Sequence, residues 1–270
     1  MNEFFSLVML IPLTLSIAAV GWWFTHHQRQ NKHQRQQLGI ALLMKLRTLL
    51  MLTQKHRGAS YGALRGDDQL KHSLSTIEHP LLKVIEGIQH HPYLHQQEHW
   101  LAYQDHWQRL HLNNLQLDAE NNLAQHNQLI SVLLYLLEDI AEQTRLNELA
   151  SDELSKLWRE LPRTAELVGQ ARVLGSGILA EGKADTVHKI RMRFVRGKLQ
   201  EYANQHPAQS DQLARLLTVI DQQILSEQPC ANDETHMSAS DYFELSTRAI
   251  EPFFRQMDEG LNQLKTIISI

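Results

Sequence analysis

Residues 54–67 read Gln54-Lys55-His56-Arg57-Gly58-Ala59-Ser60-Tyr61-Gly62-Ala63-Leu64-Arg65-Gly66-Asp67. An apolar stripe enters this stretch from upstream. Leu42, Leu46, Leu49, Thr53, Arg57, Ser60 and Leu64 recur at steps of three and four, which is the spacing of one face of an α-helix. Arg65-Gly66-Asp67 ends the pattern, with Gly66 able to take the left-handed conformation that closes a helix. On such a helix Arg57 points at the core. A guanidinium keeps its charge and is seldom fully buried without a partner. An anion must therefore meet it, and the spacing leaves open whether that is a carboxylate of the chain or a ligand.

The rest of the chain fits a helical protein. Its 270 residues are enough for one large or two modest domains with a real core. Glycine and proline are few and no run shows the alternation of a strand, so the class is all-α. A formal net charge of −4 argues against a nucleic-acid partner that needs a basic face. The single cysteine, Cys230, excludes an intramolecular disulfide framework and a Cys-rich zinc site, and reads as an incidental loop thiol.

Residues 4–24 form an apolar run without a charged residue. About 20 such residues, at 1.5 Å each, cross a hydrocarbon core of roughly 30 Å. Trp22 and Trp23 close the run, and a basic stretch over 25–37 follows with Arg29, Lys32 and Arg35. The expectation is a single-pass transmembrane anchor in the inner membrane, with the C-terminal domain in the cytoplasm by the positive-inside rule. The rival, a cleaved signal peptide, lacks the basic n-region such peptides carry.

Helical patterns then span about 34–64, 68–89, 94–115, 119–149, 151–180, 186–205, 208–226 and 240–268. Ser151 is the expected cap of the fifth, which passes Pro162 and is closed by Gly182. Residues 227–236 are the least periodic and read as a loop. Short connections favour antiparallel neighbours, so the expected architecture is two up-and-down four-helix bundles, 38–149 and 151–268, preceded by the transmembrane helix.

The fifth pattern repeats the anomaly of the first. Leu161, Ala165, Val168, Arg172, Gly175 and Leu179 make its stripe. Gly175 and Gly177 each cost about 0.5–1 kcal/mol relative to alanine inside a helix, which suggests close approach by another helix or a ligand. Two helices thus carry an arginine, small residues and a hydroxyl in the same local order. Two guanidinium forks converging on one cavity suit a planar oxyanion. The bland alternative is internal pairing with Glu138, Asp139, Asp241, Glu244 or Glu251.

Three strings carry a family resemblance. Gln54-Lys55-His56-Arg57-Gly58-Ala59-Ser60 resembles the first-helix signature of the nitrate- and nitrite-sensing (NIT) domain family. Ala171-Arg172-Val173-Leu174-Gly175-Ser176-Gly177 resembles its second signature, and Ser240 to Glu251 its last helix. The likeness spans about 38–268. It implies an all-α sensor of paired four-helix bundles that binds nitrate or nitrite. Arg57 and Arg172 are the implied anion ligands, with Gly58, Ser60, Gly175, Ser176 and Arg248 around them. His56 stands where members often carry another charged residue. The resemblance also implies pairing as a homodimer. Members usually pass the signal to an attached output module, and this sequence departs from that pattern, with no kinase, cyclase, RNA-binding or methyl-accepting segment, so the expected output is a separate protein or the membrane anchor itself.

His91, His95 and His99 recur four residues apart, but no carboxylate or cysteine completes a zinc pattern, so they read as surface histidines with no metal. Lys189, Arg191, Arg193 and Arg196 form a small basic patch, ordinarily a solvated face. No nucleophile with a base, no paired carboxylates and no phosphate-binding loop appear, so neither an enzyme nor a cofactor is expected. The first reading is a membrane-anchored nitrate or nitrite sensor. The second is a structural adaptor whose arginines are internal salt-bridge partners.

Overall fold

The computed structural model describes residues 2–149, 152–182, 186–207, 211–226 and 237–269, without the side chains of 2–18, 152 and 269. These residues form nine α-helices and no strand: α1 (Asn2–Leu64), α2 (Asp68–Ile88), α3 (Glu98–Asn113), α4 (Ala119–Gln143), α5 (Asp152–Ser155), α6 (Glu160–Glu181), α7 (Thr186–Gln205), α8 (Asp211–Val219) and α9 (Ala239–Ser269).

Local chemistry sets the helix ends. The amides of Arg65 and Asp67 both bond back to the Gly62 carbonyl while Gly66 takes φ +95°, which closes α1. Asp67 then caps α2 by accepting from the Leu70 amide at 3.0 Å. Pro162 falls in the first turn of α6, where its missing N–H has no carbonyl to meet. Ser238 opens α9: its Oγ accepts from the Asp241 amide and donates to the Asp241 carboxylate.

The helices pack in two sets. In the first, α1 lies against α2 and α4, and α3 against α4. In the second, α6 lies against α9 and α7, with α8 between α7 and α9. The sets join where α1 also meets α9 and α6. That double contact explains why α1 is buried almost all round from Leu52 to Tyr61, with Lys55 the exception. Leu42, Leu46, Leu49 and Thr53 are buried as the stripe requires.

The expected membrane anchor is not borne out. Among the described residues no helix is long and apolar enough to cross a membrane. Residues 4–24 are instead the start of one helix that continues without a break through the expected linker to Leu64. At the end of the run, exposed Trp22 and Trp23 stack on His26 and His27, four residues on, at ring separations of 5.3 and 5.5 Å. The single-pass placement in the inner membrane falls with the anchor. Ser151 and Cys230 lie outside the described residues.

Candidate functional site

Arg57 has no exposed surface, and its guanidinium crosses from α1 to α6. Nη1 donates to the carboxylate of Glu166 and to Asn127 Oδ1 at 2.8 Å. Glu166 is itself only 4 % exposed. Its Oε2 accepts from Gln54 Nε2 at 2.8 Å and its Oε1 from Gln170 Nε2 at 2.9 Å. One turn further along α6 the backbone gives way: a Cβ on Gly169 would stand 2.7 Å from Arg57 Nη2. Arg172 comes one turn after that. Glu166, Gly169 and Arg172 thus share a face, and Arg57 lies along it.

Arg172 is 4 % exposed, and no carboxylate lies within ion-pair distance of it among the described residues. Nη1 donates to Thr247 Oγ1 at 3.1 Å, and the guanidinium sits 4.7 Å from the centre of the Phe243 ring. Burial, and then the charge of Arg57, push its pKa down to about 10, with Glu166 acting in the opposite sense. It is still a cation at neutral pH. Two buried guanidiniums and one buried carboxylate leave a surplus of one positive charge, in a setting where an unpaired charge is costly.

The hydrogen-bond inventory shows the same deficit. Arg57 Nε, Arg57 Nη2 and Arg172 Nε are buried donors with no acceptor among the described residues. Such groups are rare in folded proteins and call for an explanation. A singly charged acceptor with several oxygens meets both requirements at once. Two clefts flank the arrangement. One, of about 440 Å³, is lined by Gly58, Tyr61, Ser176, Gly177 and Phe243. The other, of about 630 Å³ between α4, α6 and α7, has Asn127 and Gln170 in its wall.

Of the residues singled out in the sequence, Arg57 and Arg172 lie near enough for the charge of Arg57 to lower the pKa of Arg172. Gly58 and Ser176 line the smaller cleft beside them. Ser60 is buried but turned to His56, its Oγ 3.4 Å from Nδ1. Gly175 serves helix crossing, because a Cβ there would collide with the ring of Tyr242, whose hydroxyl donates to the Ala171 carbonyl at 3.0 Å. Arg248 is exposed, 3.6 Å from Glu244 on its own helix. Four of the five carboxylates weighed as partners are engaged elsewhere, Glu138 with Arg163, Asp139 with His99, Asp241 at its own cap and Glu244 with Arg248, and Glu251 is exposed. Glu166 was not among them, nor were Gln54, Asn127, Gln170 and Thr247. The spacing Glu166, Gly169, Arg172 on one helical face was the available signal.

His56 turns away from the arginines into the first set. Its Nδ1 is 2.8 Å from His126 Nε2, its Nε2 is 3.1 Å from Glu78 Oε1, and His126 Nδ1 is 2.9 Å from the Asn122 carbonyl. Three bonds need three hydrogens, one more than two neutral imidazoles beside a carboxylate carry. Burial holds the His126 pKa well below 6.5, and the hydrogen bond from His56 draws that of Glu78 below 4.5. His91 and His95 fall in the turn between α2 and α3, so the expected ladder is not on one helix.

No family model matches the chain, and no curated protein matches it in sequence. Among solved structures, the fold is similar to that of the NasR transcription antiterminator, with a TM-score of 0.59 at 20% identity over 93% of this chain and 74% of that one. At that identity the likeness concerns the fold.

Proposed function

We propose that this chain is a sensor that binds a small oxyanion of the nitrate or nitrite class between α1 and α6. The observation that carries the reading is the pair of buried guanidiniums with three unpartnered N–H groups and one surplus charge. A monovalent planar oxyanion brings that surplus to zero and offers in-plane oxygens to both forks. A divalent anion would leave the site negative. The motif resemblance to nitrate- and nitrite-sensing domains points to the same ligands. The shared fold with a transcription antiterminator fits a regulatory role, and the expectation that no nucleic acid takes part draws no support from that neighbour.

With the site empty, the two cations repel across the junction of the helix sets. With an anion between them, α1 and α6 are drawn together. A ligand shifts such an equilibrium only by its difference in affinity for the two arrangements, and the surplus charge provides that difference. The adaptor reading needs a carboxylate at both arginines, and among the described residues Arg172 has none within ion-pair distance.

Isothermal calorimetry with nitrate and nitrite, at ionic strength held constant with chloride and with sulfate as a divalent control, tests the proposal. Arg172→Met is the cleaner variant, because Arg57→Ala would also strand the Glu166 carboxylate. Saturable binding in the wild type that is lost in Arg172→Met is expected. Equal heats from the two proteins, or none from the wild type, reject the site.

A further inference from the structure

Phe243 connects the surface to Arg172. Its ring is 36 % exposed, and it also lies against the Arg172 guanidinium, whose carbon is 4.7 Å from the ring centre. Thr247, one turn further along α9, accepts from Arg172 Nη1 and donates to the Phe243 carbonyl at 2.8 Å. The hydrogen bond and the ring contact of Arg172 thus both come from α9. A ring covers the face of a guanidinium, whereas an oxyanion bonds in its plane. Ring and anion therefore do not compete for Arg172, whose Nε has no acceptor among the described residues.

The neighbour of this ring on α1 is Gly58. It is buried in a helix, where glycine is less stable than alanine. Outside its own helix, a Cβ built on Gly58 would meet only Phe243 Cε2 among the described residues, at 3.7 Å, an ordinary contact. Packing therefore does not require this glycine, in contrast to Gly175 under the Tyr242 ring. What Gly58 provides is free space beside the Phe243 ring, on the wall of the smaller cleft that both residues line.

The two clefts differ in what an anion meets. The larger opens on Asn127 and Gln170, both already bonded, and Gln170 holds the Glu166 carboxylate, which repels an anion. The smaller opens on Phe243, Gly58 and Val173, the residue after Arg172. Behind the Phe243 ring is the cation that no carboxylate of the described residues matches.

From this arrangement we infer that the smaller cleft is the mouth of the anion site and that Phe243 is its gate, the ring swinging into the space above Gly58 to admit an oxyanion and returning to cover it. Closure excludes water, which strengthens the contact between anion and guanidinium. The identity of what enters rests on the oxyanion reading above; the gate itself is tested without an anion.

The probe is methylglyoxal, a small arginine-directed dicarbonyl, applied to the full chain in chloride, with initial modification of Arg172 followed by peptide mass spectrometry. Phe243→Ala should raise the Arg172 rate at least about tenfold. Phe243→Tyr keeps the ring and should stay within about twofold of the wild type. Phe194→Ala, which opens the larger cleft instead, should leave the rate unchanged. Gly58→Ala narrows the space for the ring and should slow the reaction at least about threefold. Alanine favours the helix, so that slowing cannot come from a loosened fold. Equal rates in the wild type and Phe243→Ala, a wild-type rate in Gly58→Ala, or acceleration by Phe194→Ala alone overturns the gate. With ¹⁵N-nitrate, exchange measured by NMR line shape should be faster in Phe243→Ala in both directions, with the dissociation constant within about threefold. A large loss of affinity at unchanged exchange rates would make Phe243 a plain ligand contact and overturn the gate. If calorimetry detects no nitrate binding while Phe243→Ala and Gly58→Ala behave as expected, the oxyanion reading falls and the gated cleft stands.

Discussion

Replacing Arg172 by methionine separates a ligand site from a structural ion pair by the sign of its effect on stability. The fall of the Arg172 pKa from its ordinary value to about 10 corresponds, at about 1.36 kcal/mol per pH unit, to a cost of about 3 kcal/mol for holding the cation in the fold. The sign follows from linkage. A base with a lowered folded pKa carries its full cost below that value, and the cost fades only as pH rises through about 10 towards the ordinary guanidinium range. At neutral pH the whole cost is present. Methionine removes it and forfeits the Thr247 hydrogen bond, about 1.5 kcal/mol, and the contact with Phe243, about 1 kcal/mol. The net change in chloride is therefore between zero and about 1 kcal/mol of added stability. Breaking a paired, buried ion pair would instead cost about 3–5 kcal/mol. Urea unfolding at pH 7, in chloride and in nitrate at matched ionic strength, measures both properties. The wild type should gain about 2.7 kcal/mol when nitrate is a hundredfold above its dissociation constant, and Arg172→Met should gain nothing. A variant destabilised by several kcal/mol in chloride, with the nitrate response intact, would refute the reasoning.

Three further outcomes follow. Glu166→Gln leaves Arg57 buried without its carboxylate and should cost about 3–5 kcal/mol in urea unfolding; a loss below about 1 kcal/mol would show that the pair does not hold α1 to α6. Gly169→Ala places a Cβ 2.7 Å from Arg57 Nη2 and should destabilise by about 1–3 kcal/mol, whereas Gly197→Ala, in open space on α7, should stabilise by up to about 1 kcal/mol; denaturation midpoints moving together would contradict the contrast. Stability should fall as pH drops below 6.5, where unfolded chains protonate His126 and the fold resists it, and again below 4.5, where the same holds for Glu78. His126→Gln should flatten the first of these steps in urea midpoints between pH 7 and pH 5, and an unchanged slope would count against the buried network.

The helical body was legible because its signals are periodic and local. Arg57 on a leucine stripe and Arg172 on an alanine and valine stripe are anomalies that spacing alone exposes, and the fold brings both to one face of α6. The Gly66 stop is likewise local chemistry. Glu166 was harder to see: it sits beside the stripe member Ala165, and only the path of Arg57 past Gly169 gives that flank a role. Gly175 shows how a small residue in a helix fails to announce its reason. A ligand and the Tyr242 ring leave the same mark in sequence, and here the ring fills the space. The histidine ladder failed because Gln97 caps α3 late, leaving His91 and His95 in a turn. The apolar run over 4–24 was read from composition, which does not distinguish a membrane span from the first third of a 63-residue helix.

The central claim concerns what meets the two guanidiniums. The most direct measurement is a crystal structure of the chain grown with nitrate in place of chloride. The account predicts a planar anion with oxygens about 2.8–3.0 Å from Arg172 Nε and Arg57 Nη2, with the Glu166 pair retained. Density showing both nitrogens still without an acceptor, or Arg172 swung onto a carboxylate of the chain, would contradict it.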